Sequence, residues 1–161
     1  FIFVFAGDAA AANGPVQFRQ RLVEWYRYVK NFPVATHEKS ISEEELSRHN
    51  VFLFGEPETS ALIRKVLNAS PIRVTAAEYA VGAETFPRTG NGLCFVYRSP
   101  WNPAKLAVVQ CGLAWGQGLG ENHRYDFLPD YIVYSAEQDI DGSNHALCAG
   151  FWDENWGQGV K

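Results

Sequence analysis

The residues best placed for chemistry are two acids that follow apolar runs. Phe1-Ile2-Phe3-Val4-Phe5 leads to Gly7-Asp8, and Val51-Phe52-Leu53-Phe54 leads to Gly55-Glu56. Open α/β sheets place ligands in the crevice beyond the carboxyl ends of their strands. Asp8 and Glu56 there, flanked by Gly55 and Gly112, could act as an acid-base pair in a small hydrolase or transferase. A serine mechanism would also need a Gly-x-Ser-x-Gly turn that lifts the hydroxyl beside oxyanion donors. The chain has none. Ser60 follows Glu56-Pro57-Glu58-Thr59, where negative charge opposes an oxyanion, so Thr59 and Ser60 are expected to cap a helix.

Other reactive types lack the spacing their chemistry requires. The run Gly112-Leu113-Ala114-Trp115-Gly116-Gln117-Gly118-Leu119-Gly120 follows an apolar strand, as a phosphate-binding loop would. No helix pattern follows it, and its glycines match neither the dinucleotide nor the P-loop order, so a flexible loop is expected. His123, Asp126, Asp139, Asp141, His145 and Asp153 are metal-ligating types, but Gly150 stands where an EF-hand loop would need its closing glutamate. Asp141-Gly142 reads as a tight turn between strands. No metal and no cofactor are expected. His37 and His49 lie among polar residues and read as solvent-exposed.

Apolar spacing sets the elements that would carry these residues. The runs at 1–5 and 51–54 have no polar alternation, the pattern of strands covered on both faces. Phe18, Leu22, Trp25 and Val29 recur at helical intervals behind Pro15, with Arg19, Arg21, Arg27 and Lys30 read as a solvated face. Ser42 and Glu45 form a capping-box pattern for a short helix to about His49. Pro57 is expected to open a helix carrying Leu62, Ile63, Val66 and Leu67. Beyond it, Ile72 to Thr75, Cys94 to Arg98, Leu106 to Cys111, Tyr131 to Tyr134 and Ala149 to Trp152 read as strands. The expected fold is a single three-layer α/β domain over 1–161. Its amino-terminal half is Rossmann-like and parallel, and its carboxyl-terminal half is mixed or antiparallel.

If Pro100-Trp101-Asn102-Pro103 closes a hairpin centred between Asn102 and Pro103, Cys94 and Cys111 face each other. Such a pair could form a disulfide or remain two buried thiols. Trp101, Trp152 and Trp156 fall at turns or near the terminus. They could stack on sugar rings, dock a neighbouring domain or pack internally. Trp156, beside Gly157-Gln158-Gly159, is the foremost contact candidate.

Composition narrows the classes further. The 161 residues, 47% hydrophobic and 20% charged, suit one folded core. A net charge of -4 opposes a nucleic-acid partner. No run approaches the roughly 20 apolar residues of a membrane span. The chain contains no Met, and residue 1 lies inside an apolar run. This is the pattern of a fragment, although a processed chain reads the same way.

Four segments together carry a family resemblance. They are Asn50-Val51-Phe52-Leu53-Phe54-Gly55-Glu56-Pro57-Glu58-Thr59, Pro100-Trp101-Asn102-Pro103, Leu128-Pro129-Asp130-Tyr131 and the stretch from Ala149-Gly150-Phe151-Trp152 to Trp156. In order and rough spacing they resemble the α/β segment carboxyl-terminal to the catalytic domain of large secreted bacterial esterases and peptidases of the prolyl-oligopeptidase type. The glycine-rich 112–120 run departs from that pattern. The resemblance implies a noncatalytic accessory domain, secreted or periplasmic, whose partner is a hydrolase domain or another protein chain. The catalytic serine would then lie outside this sequence. A strand-end enzyme and a carbohydrate-binding module are the competing expectations, and the oligomeric state stays open.

Overall fold

A computed structural model describes residues 1–7, 14–116, 118–119 and 128–158. In chain order its elements are β1 (Ile2–Phe5), α1 (Gly14–Val29), β2 (Val34–His37), a 3-10 turn (Glu38–Ser40), α2 (Glu43–Arg48), β3 (Val51–Phe54) and α3 (Ala61–Ala69). There follow β4 (Ile72–Val74), β5 (Glu78–Val81), β6 (Glu84–Pro87), β7 (Asn91–Ser99), β8 (Asn102–Gly112), β9 (Tyr131–Gln138) and β10 (Asn144–Gly150). The fold is mixed α/β. Seven strands form one sheet in the order β10-β9-β7-β8-β3-β1-β2, and β4-β5-β6 form a small antiparallel sheet. Within the large sheet β2, β1, β3 and β8 run parallel, while β7, β9 and β10 continue it antiparallel.

Side chains alternate across a strand, so each strand here feeds two different cores. Ile2, Val4, Val51, Leu53, Val109, Leu93 and Val133 point to one face, where Leu46 of α2, Ile63 and Val66 of α3, and Ile72 and Tyr79 of the small sheet cover them. Phe3, Phe5, Phe52 and Phe54 point to the other, against Phe18, Leu22 and Trp25 of α1. That second core is built from ring contacts, with Phe5 and Phe18 4.4 Å apart and Phe3 and Trp25 5.5 Å apart. The α1 face continues over Cys94, Ile132, Tyr134 and Trp115. Both unalternated runs therefore occupy the interior of the sheet, as their composition requires.

Local signals account for most boundaries. Ser42 and Glu45 form the reciprocal capping box of α2, and Ser60 accepts from the Ile63 amide at 3.0 Å to cap α3. The expectation that Pro57 opens this helix is corrected, because a turn comes first and α3 begins at Ala61. Strand β10 ends at Gly150, so Trp152 belongs only to an isolated bridge with Gln158. Strands β2, β5 and β6 carried no pattern long enough to be recognised.

The expected Cys94–Cys111 pairing is also corrected. Ser99 pairs with Asn102 around Pro100-Trp101, while Arg98 pairs with Leu106, leaving Pro103, Ala104 and Lys105 without partners on β7. This bulge sets Cys94 opposite Gln110 and Leu93 opposite Cys111. A one-residue offset reverses the face of a side chain. The two thiols consequently lie in different cores, and Cys94, Cys111 and Cys148 are buried thiols that form no disulfide. Burial pushes the Cys94 thiol up to about 12 and raises Cys111 as well, which disfavours the reactive thiolate. A thiol reagent at pH 8 should label no cysteine of the folded chain within minutes, and all three in denaturant without reductant. Labelling of only one would mean that a disulfide exists.

Candidate functional site

Parallel pairing brings the carboxyl ends of β1, β3 and β8 to one edge of the sheet. The chain continues in register past the strands: the Ala6 amide donates to the Phe54 carbonyl at 3.0 Å, and the Gly55 amide to the Gln110 carbonyl at 3.2 Å. Gly112 turns away at φ +71°, and a Cβ there would stand 2.3 Å from the Tyr79 hydroxyl and 2.4 Å from the Asn91 carbonyl oxygen. Only glycine fits that close approach. Gly55, Glu56 and Gly112 are thus brought together, whereas Asp8 lies outside the described residues.

Both carboxylate oxygens of Glu56 are held. Oε1 accepts from the Gly112 amide at 2.9 Å, and Oε2 from Arg88 Nη2 at 2.8 Å. Arg88 also donates to both oxygens of Glu58 and, at 2.6 Å, to the Thr75 carbonyl. Its guanidinium carbon lies 5.8 Å from the Tyr79 ring centre. One mostly buried cation thereby ties the end of β3, the end of β8 and the small sheet together. Charge-assisted, bidentate bonds of this kind fix geometry strongly. The hydrogen bond from Arg88 is also the main reason that the Glu58 carboxyl titrates below the usual carboxylate range. Among the described residues, each oxygen of Glu56 thus accepts a structural hydrogen bond.

A second polar group lies beneath α1 on the opposite face of the sheet edge. Gln17 Nε2 donates to the Gly112 carbonyl, while Arg21 donates to the Trp115 carbonyl at 2.6 Å and to Glu24 at 2.7 Å. Tyr134 donates its hydroxyl to the Leu113 carbonyl at 2.5 Å, and burial raises its pKa well above the ordinary value. Gln110 lies on the same side of the sheet, fully buried, and among the described residues both ends of its amide lack a hydrogen-bond partner, as does Gln17 Oε1. An unsatisfied buried polar group costs about 1–3 kcal/mol. The strand end therefore retains hydrogen-bonding capacity directed inward.

Ser60 is occupied twice, donating to Glu38 Oε2 at 2.6 Å while capping α3. The three tryptophans pack within the chain. Trp101 packs on the aliphatic core with the Lys65 ammonium 5.5 Å from its ring centre. Trp152 lies 4.6 Å from Tyr131 and donates its indole N–H to the Val96 carbonyl at 2.6 Å. Trp156 stands edge-on to Tyr97 at 5.5 Å, under Arg98, and its carbonyl accepts the Tyr97 hydroxyl at 3.0 Å. All three rings are half-buried within the chain. Asp139 pairs with His145 at 3.0 Å, which raises the histidine's pKa, and Asp141 closes its turn on Ser143. His123 and Asp126 lie outside the described residues. Among those described, no three metal-ligating side chains cluster, and no helix is long and apolar enough to cross a membrane.

Three findings depart from the sequence. Arg21, read as part of a solvated face, is 3% exposed. Its placement was signalled only by the Gln17, Arg21, Glu24 spacing that borders the Phe18 stripe. His37, read as exposed, is half-buried against Phe5 and caps the 3-10 turn. In the 112–120 run, read as a flexible loop, Trp115 is buried and the Gly116 amide donates to Asn144 at 2.8 Å, while Gln117 and Gly120 lie outside the described residues. Arg88 and Gln110 carried no sequence signal. Comparison of the chain with protein-family models, curated proteins and solved structures found no match in any of the three.

Substituting Arg88→Met should leave Glu56 and Glu58 without their shared cation and lower stability by about 2–3 kcal/mol, measured by urea unfolding. A lowered folded pKa contributes stability that is complete above the unfolded carboxylate's pKa and is lost as pH falls through the folded one. Between about pH 5 and pH 3 the parent should accordingly lose more stability than Arg88→Met.

Proposed function

We propose that this chain is a noncatalytic docking module that packs against a neighbouring protein domain. The observation that carries this reading is an apolar surface along α1 and β2. Opposite its Phe18 stripe, α1 presents Val16, Val23 and Tyr26, and the turn after it adds Phe32 stacked on Tyr26 at 4.3 Å. Phe32 is 63% exposed and Val34, at the start of β2, 64%. Contiguous apolar surfaces on isolated chains mark interaction sites. Strand β2 also ends the large sheet and holds no bulge, proline or charged residue, whereas the opposite edge, β10, is interrupted by register shifts. Natural sheets usually protect such edges. Exposed Arg19, Arg27 and Lys30 rim the surface, which favours an acidic rim on the partner.

The resemblance stated above supplies the partner class: an exported serine hydrolase of the prolyl-oligopeptidase type, with this chain secreted or periplasmic beside it. Helix α1 on one face of parallel strands and α2 with α3 on the other support a three-layer, Rossmann-like reading of the amino-terminal half. The structural hydrogen bonds made by Glu56 and Ser60 support a noncatalytic role. In material from the natural source, amides of β2 and the α1 surface should be protected from exchange by a chain containing Gly-x-Ser-x-Gly. Joint Tyr26→Ser and Phe32→Ser substitution should release that chain while changing stability by no more than about 0.5 kcal/mol per site. Protection that is absent, or that survives the substitutions, overturns the reading.

The Gln110 amide and Gln17 Oε1, without hydrogen-bond partners among the described residues, favour a second reading, a small polar ligand at the strand ends. A thermal-shift series of small carboxylates and amides should then raise the parent's melting temperature, and Gln110→Leu should abolish the shift. The free variant should itself gain about 1–2 kcal/mol through loss of the unsatisfied amide. If no compound stabilises the parent, this reading falls.

A further inference from the structure

On the far side of the molecule from α1, a groove of about 690 Å³ runs between α3 and β4. Its walls include Arg64, Leu67 and Asn68 from one side of α3 and the consecutive residues Ile72 to Ala76. Alternate residues of a strand point to opposite faces, so a groove lined by every residue of β4 in turn runs along its edge. That edge is open, because β4 is the outermost strand of the small sheet and pairs only with β5.

The hydrogen-bond phase of β4 identifies which groups face the groove. Thr75 donates its amide to the Glu78 carbonyl at 2.9 Å, so Thr75 and Glu78 form a hydrogen-bonded pair. Bonded and non-bonded pairs alternate along an antiparallel ladder. Arg73 with Ala80 is then the next bonded pair, and the backbone groups of Ile72 and Val74 point outward. The Ile72 amide confirms this phase by bonding backward to Ser70 Oγ at 3.3 Å. The N–H and C=O of Val74 and the C=O of Ile72 are thus directed at the groove.

Charge defines the occupant further. Glu58, the one acid of the wall, shares the Arg88 cation with Glu56, while Arg64 and the exposed Arg73 add two positive charges at the groove on a chain of net charge -4. Leu67 and the half-buried Val74 supply apolar surface on the core side of the strand. We propose that this groove binds an extended acidic peptide, which adds to β4 as a fourth strand of the small sheet. Its alternate residues are apolar toward Leu67 and carboxylate-bearing toward Arg73. The site is independent of the α1 surface and of whatever docks there.

The test uses a blocked pentapeptide of alternating valine and glutamate, with its lysine counterpart as control, titrated into the intact chain and followed by amide chemical shifts. The glutamate peptide should shift Ile72 to Thr75 and slow exchange at the Val74 amide. Val74→Pro, which removes one outward N–H from an edge where proline is tolerated, should abolish binding. Arg73→Glu should weaken the glutamate peptide at least tenfold and favour the lysine peptide. Failure of the glutamate peptide to bind the parent, shifts confined to another surface, or equal affinity of both peptides for the parent would each overturn the proposal.

Discussion

Strand β8 is the constraint on which the rest of the molecule depends. One edge pairs parallel with β3 and the other antiparallel with β7, so this single strand joins the two halves of the sheet. Its alternation assigns Ala107, Val109 and Cys111 to the aliphatic core and leaves Gln110 on the side of α1. Both edges of β8 are hydrogen-bonded and both faces are covered. Its register is accordingly fixed by burial on two sides at once, and strand ends as far apart in sequence as Gly55 and Gly112 meet because of it.

The parts of this arrangement that were readable in the sequence are those decided by short-range physics. A serine and a glutamate three positions apart specify the start of α2 without reference to anything else. Uninterrupted apolar runs identify β1 and β3 as interior strands, because no amphipathic alternative accommodates them. Asp141-Gly142 turns the chain where a positive φ is required. The meeting of Gly55, Glu56 and Gly112 also followed from strand order alone.

Features that were not readable depend on parity or on distant partners. Whether Cys94 and Cys111 share a face is settled by how many residues bulge near Lys105, and propensity does not encode that count. Arg21 borders the apolar stripe in a helical projection, but its charge makes it read as a surface residue. It is drawn inward by the carbonyl of Trp115, more than ninety positions away. Arg88 meets Glu56 and Glu58 only once the small sheet has folded over α3. The short β2 has only Val34-Ala35-Thr36-His37 to announce it, and a parallel neighbour rather than its own pattern makes it a strand.

The bulge at Pro103, Ala104 and Lys105 has a further consequence for how such a chain can vary. The ladder from Arg98 to Gly92 is locked from both edges of β8, and the turn at Pro100-Trp101 is closed separately by Ser99 and Asn102. Between these two fixed pieces the unpaired residues act as slack. A chain one residue longer or shorter there could absorb the difference in the bulge and keep every buried side chain on its own face. Length variation is thereby decoupled from sheet phase at this corner, whereas the same insertion within Leu106 to Cys111 would exchange the two cores.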